Sequence, residues 1–136
     1  MANTNAAEAY RRQQILTATP ETLTLMLYNG CLKFIKDGRE ALEAKKWEEA
    51  NNLLQRAQRI IVEFRLTLDM QYEISHQLQP LYEYAYNCLV EGNLRTDFDK
   101  IDEATTIMTE LRDAWVGAMK KAQEEKGLGK GGNGYA

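Results

Sequence analysis

His76 is the only histidine among the 136 residues, and its solitude closes off more chemistry than any motif opens. Glu73-x-x-His76 is half of the Glu-x-x-His signature with which helical bundles hold two metals. The second copy of the motif must come from another helix, and no histidine remains to build it, so only a symmetric dimer through Glu73 and His76 could complete the set. A histidine with a methionine can ligate haem in a bundle, but no CxxCH accompanies it. There is no glycine-rich phosphate loop and no Ser-His-Asp set. The sequence therefore predicts no catalytic residue, no metal and no cofactor.

Other scarcities narrow the class further. There are two cysteines, Cys31 and Cys88; both fall in helical patterns, which favours buried thiols in a reducing compartment over a disulfide. Apolar runs are only a few residues long and the N-terminal MANTNAAEAYRRQQ has no hydrophobic core, so neither membrane insertion nor Sec-type export is expected and the default location is cytoplasmic. Charge of neither sign dominates: the formal net charge is -3 and no basic patch stands out, which argues against a nucleic-acid partner. With 44% hydrophobic and 27% charged residues the chain is neither disordered nor fibrous.

What is present is helical periodicity. Thr19-Pro20-Glu21 is a helix start, with a hydroxyl cap, proline at the first helical position and a carboxylate at the positive dipole end. From there to about residue 44, Leu23, Leu27, Gly30, Phe34 and Ala41 form one apolar stripe at steps that helical periodicity allows. A second helix, about 47–69, repeats Ala50, Leu54, Ala57, Ile61, Phe64 and Leu68 at four- and three-residue steps. A third, about 73–90, carries Ile74, Leu78, Leu81, Ala85 and Cys88, with Pro80 predicting a kink or a late start. The last follows Thr96 and Asp97, either of which can cap it, and alternates Ile101, Ala104, Met108, Leu111, Trp115, Ala118 and Ala122. Trp47 and Trp115 are expected in the core or at its edge. The resulting expectation is all-α, an antiparallel up-down-up-down four-helix bundle over residues 17–125. Residues 1–16 form an N-terminal capping segment, mobile or docked through Tyr10, Ile15 and Leu16, and the glycine-rich 126–136 is a disordered tail.

Three of these helices are apolar on a second side. Leu25 and Leu32 lie almost opposite the first stripe with Tyr28 between the faces; Val62 and Leu66 sit well round the second helix; Tyr86 and Val90 point away from the third stripe. Such groups suit a partner laid into a groove as an amphipathic helix. They equally suit the chain's own N-terminal segment, held on Leu25, Tyr28 and Leu32, or a second copy in a self-associating structural bundle. Tyr82, Tyr84 and Tyr86 also fit half-buried packing.

Tyr10, TATPETLTLMLYNGCLKFI at 17–35, EISHQLQPLYEYAYNCLVEGNL at 73–94 and ELRDAW at 110–115 together resemble the flagellar export chaperone family FliS, in order and over about residues 8–125. The resemblance implies a cytoplasmic helical-bundle chaperone, not an enzyme. It would bind the disordered C-terminal segment of flagellin, block premature polymerisation and keep the subunit competent for type III export, with the export apparatus as a further partner. It further implies that the partner wraps the bundle as short amphipathic helices and that the N-terminal segment shifts when it binds. The flagellin-binding residues expected here are Tyr10, Ile15, Leu16, Leu25, Tyr28, Leu32, Val62, Leu66, Tyr82, Tyr86 and Val90, on a monomer or weak homodimer.

Overall fold

In a computed structural model of the chain, which describes the backbone of residues 2–135 and the side chains of residues 5–127, five helices follow one another: α1 Ala2–Thr17, α2 Pro20–Glu43, α3 Trp47–Leu66, α4 Glu73–Arg95 and α5 Phe98–Tyr135. No strand occurs among the described residues. The helices α2 to α5 pack each against the next, and α5 closes the ring on α2. Residues 44–46, 67–72 and 96–97 connect them, and connections this short reverse the chain between packed neighbours.

Local chemistry fixes the ends. The Thr19 hydroxyl accepts the Thr22 N–H at 3.2 Å, with Pro20 opening α2. Of the two candidate caps before α5, Asp97 does the work. Its carboxylate accepts the N–H groups of Asp99 at 3.1 Å and Lys100 at 3.3 Å, while Thr96 turns left-handed at φ 53° to end α4. The α4 helix continues through Pro80. Gly92 makes the turn into α5 possible, since a Cβ there would stand 2.6 Å from Ile101 Cγ1 and 3.0 Å from the Asp97 carbonyl oxygen.

The core follows the α3 pattern: Ala50, Leu54, Ala57, Ile61 and Phe64 are buried. On α2 the buried face is Tyr28, Cys31, Ile35, Gly38, Ala41 and Leu42, so of the expected stripe Ala41 is inside while Leu23, Leu27, Gly30 and Phe34 are rotated out of the centre. That stripe turns toward α3, with Arg56 over the Phe34 ring at 5.8 Å and Gly30 beside Ile60. The physical reason is close approach. A Cβ on Gly38 would lie 2.8 Å from Leu54, and the Cys31 thiol reaches the Ala57 carbonyl at 3.7 Å, so the small residues mark where α2 meets α3. On α4 the centre is Ser75, Tyr82, Ala85, Cys88, Leu89 and Gly92; the expected Ile74 and Leu81 are exposed.

On α5, Ile101, Ala104 and Met108 are buried and Leu111 and Trp115 pack at the edge, but Ala118 and Ala122 are exposed. The Trp115 indole donates to the Glu21 carbonyl at 3.0 Å, in the first turn of α2, so the rest of α5 overshoots the end of its neighbour. The expected disordered tail is helical in its backbone through Tyr135. Elongation of an existing helix adds one backbone hydrogen bond per residue fixed. Of the two alternatives for the N-terminal segment, mobile or docked, the structure shows no docking of its described side chains. The segment is a helix, and every side chain described in residues 5–17 is exposed, because Tyr10, Ile15 and Leu16 meet no buried face of the ring. Trp47, expected in the core or at its edge, is exposed at the start of α3.

Candidate functional site: the α3/α4 groove

The eleven expected binding residues separate into four groups. Tyr28 and Tyr82 are only 5% and 3% exposed and belong to the core, which removes them from any outer face. Their rings sandwich Phe64 at centroid distances of 4.4 Å and 5.6 Å, and their hydroxyls share a hydrogen bond of 2.7 Å. Burial pushes the ionisation of both phenols up, and for Tyr82 the hydrogen bond to Tyr28 adds to it. A phenol whose hydroxyl is satisfied inside the bundle is packing, not a contact for a partner.

Leu25 and Leu32 are half-buried on the flank of α2 that faces α5. They fall seven residues apart, as do Leu32 and Arg39, so the three share one face. Arg39 grips Asp102 of α5 through two bonds of 2.8 Å and 3.1 Å and lies 4.9 Å from the Phe98 ring centroid. Further along the same seam Arg112 reaches Asn29 at 3.4 Å. Tyr10, Ile15 and Leu16 are elsewhere, on exposed α1.

The remaining four come together. Val62 and Tyr86 line one depression of about 530 Å³ between α3 and α4, with Gln55, Gln58, Arg59 and Glu63 around them. Leu66 is one turn beyond Val62 and Val90 one turn beyond Tyr86, so each helix adds a second apolar group to the same side. Val62, Tyr86 and Val90 are half-buried, whereas Leu66 is 71% exposed. Arg65 leans on the Tyr86 ring at 6.0 Å and the Asn93 amide donates to Asn51 at 2.9 Å, closing the far end of the groove. From Asn51 to Leu66 is fifteen residues of α3, about 22 Å at 1.5 Å per residue. A floor of aliphatic and aromatic carbon with amide and charged groups on the rim accepts one face of an amphipathic helix about four turns long.

Glu73 and His76 are both exposed, and the His76 ring is engaged with the Met70 carbonyl at 2.9 Å. Among the described residues no three His, Cys, Asp or Glu side chains converge as metal ligands, and no helix is long and apolar enough to cross a membrane. Sequence reasoning missed the exposure of Trp47, Ile74 and Leu81; on α4 the expected Ala85 and Cys88 are buried, whereas Ile74 and Leu81, nearer its N-terminal end, are not covered.

Comparison with known proteins gives this surface a context. The family described as "Flagellar protein FliS" matches residues 2–122. A flagellar secretion chaperone FliS of Bacillus subtilis (strain 168) is 40% identical over 132 residues, covering 97% of this chain and 98% of the relative. The flagellar secretion chaperone FliS of Campylobacter jejuni is 31% identical over 117 residues, covering 85% and 91%. A crystal structure of a bacterial flagellar chaperone shares the fold, with a TM-score of 0.68 at 23% identity over 85% of this chain and 98% of the other. A family match over residues 2–122, with a relative 40% identical over nearly its whole length, leaves one conclusion: the chain belongs to the FliS family of flagellar secretion chaperones.

Proposed function

We propose that this chain is a cytoplasmic export chaperone, not an enzyme, and that its client is the disordered C-terminal segment of flagellin. The groove along α3 and α4 carries this reading: Val62 and Tyr86 form its floor, Leu66 and Val90 extend it, and none of the described side chains of α1 is buried against it. A client segment that folds there as an amphipathic helix buries the surface that it would otherwise use to polymerise, and stays unfolded enough elsewhere to be exported by the type III apparatus. The antiparallel four-helix body gives the groove a rigid floor. Leu25 and Leu32 on the α2/α5 flank and Tyr10, Ile15 and Leu16 on α1 extend the client's path beyond it, with α1 shifting as the client seats.

Exposed α1 also favours a second reading, a weak homodimer in which Tyr10, Ile15 and Leu16 bury against another copy. Mass in solution, measured with and without a flagellin C-terminal peptide, separates the two. The chaperone reading expects a one-to-one complex with the peptide, whereas a dimer whose mass ignores the peptide would replace it with a structural role.

A further inference from the structure

On the opposite flank of α4 from Tyr86 lies a second apolar line that nothing in the ring covers. Ile74, Leu81 and Tyr84 are 56%, 41% and 46% exposed, and their spacing of seven and three residues puts them on one face. That face looks toward α5. The Tyr84 hydroxyl donates to the Glu103 carboxylate at 2.8 Å and the Cys88 thiol to the same oxygen at 3.5 Å. Tyr84 and Ile107 share a depression of about 370 Å³ with Asp99, Asp102, Glu103 and Thr106. Because the two helices run antiparallel, Leu81 and Ile74 continue this line past Ile107 and Glu110. From Ile74 to Tyr84 is about 15 Å at 1.5 Å per residue.

The charge along this line is one-sided. Asp102 is held by Arg39 and Glu103 by Lys100 at 3.5 Å, but Asp99 and exposed Glu110 belong to no ion pair among the described residues. Four carboxylates against two cations leave an excess of two negative charges beside three exposed apolar groups, in a chain whose formal total is -3. The α3/α4 groove differs, since Arg59 and Arg65 outnumber Glu63 there.

We propose that the α4/α5 face is a second docking surface, independent of the α3/α4 groove, that takes an amphipathic helix of another protein whose apolar seam is flanked by lysine or arginine. The seam would cover Ile74, Leu81 and Tyr84, and the flanking cations would meet Asp99 and Glu110. Such a partner can sit on the chaperone while the other groove is full, because the two surfaces lie on opposite sides of α4.

The test uses the full chain and two designed 18-residue helices with the same leucine seam, one flanked by lysines and the other by glutamates, with binding read by fluorescence anisotropy at low salt. The lysine peptide is expected to bind at least tenfold more tightly. Glu110→Lys together with Asp99→Lys should reduce that ratio below threefold, Leu81→Gln should weaken the lysine peptide at least fivefold, and Val62→Ser should leave it unchanged. Circular dichroism on each variant establishes that the helices are intact. Equal binding of the two peptides, a ratio that survives the charge reversal, or loss of the lysine peptide in Val62→Ser would overturn the proposal. Self-association of the free chain that Leu81→Gln abolishes would overturn it too, by giving the face to a second copy.

Discussion

The hydroxyl pair of Tyr28 and Tyr82 shows how one atom decides between packing and recognition. Each O–H is satisfied by the other at 2.7 Å inside the core. Removing one leaves the other buried without a partner, which costs about 1–3 kcal/mol, whereas removing both leaves only apolar contact. Tyr28→Phe is therefore expected to lower the urea unfolding free energy by that amount, and Tyr28→Phe with Tyr82→Phe to lose less than the sum of the two singles. Additive losses in this cycle would show that the bond contributes nothing. The thiols give a pH signature at the same scale. Burial pushes Cys31 up to about 12, from an ordinary value near 9, and Cys88 moves in the same direction. Above pH 9 the unfolded chain gives up a proton that the folded chain retains, so the unfolded state binds fewer protons and stability falls as pH rises. The stabilisation is intact below pH 9 and declines by about 1.4 kcal/mol per pH unit for one such group up to the folded value. Tyr28 and Tyr82 add to the slope above pH 10 in the same sense. Unfolding midpoints at pH 8, 9.5 and 10.5 should drop steadily, and Cys31→Ala should reduce the part that begins near pH 9 while leaving the share of Cys88; a flat profile in the parent would contradict the burial argument.

Among the elements, α3 was legible and α2 and α4 only partly so. Repeats of four and three over Ala50 to Phe64 define one phase, because no competing apolar line on α3 is as long. On α2 the residues from Leu23 to Leu42 carry apolar groups on nearly every side, so periodicity finds the helix but not which face is innermost. The deciding quantities are tertiary: Gly38 admits Leu54, and Cys31 reaches Ala57. The expected binding residues suffered from the same limit. Val62, Leu66, Tyr86 and Val90, read as outward from their distance to the stripes, are indeed outside the core, whereas Tyr28 and Tyr82 are inside it, because an aromatic next to a stripe reads the same whether it faces in or out. The α1 helix was not legible as a helix at all, since its polar sequence gives no clear stripe. The α2 phase has a direct check. Ile35→Asp places an uncompensated charge in the core and should unfold a domain whose whole stability is about 5–15 kcal/mol. Leu27→Asp, on the exposed side, should keep a cooperative transition. The reverse order would restore the stripe through Leu27 as the inner face.

For the whole molecule, the ring of α2 to α5 separates what stabilises the fold from the outer surface that we propose recognises a client. Its centre is occupied by residues such as Leu54 and Ile61, and its outer grooves by groups that are half in water. A disordered segment gives up about 2–5 kcal/mol or more on becoming ordered, so a client helix needs several apolar contacts at once. The α3/α4 groove offers four of them, two from each helix. The decisive measurement is calorimetric titration of the flagellin C-terminal peptide into the parent, into Val62→Ala with Leu66→Ala, and into Leu54→Ala, with urea unfolding run on the same samples. The groove variant is expected to unfold within about 1 kcal/mol of the parent. It should nevertheless bind at least tenfold more weakly, about 1.4 kcal/mol. Leu54→Ala should lose about 2–5 kcal/mol of stability and, where still folded, bind as the parent does. Parental affinity in the groove variant would contradict the assignment of this surface to the client.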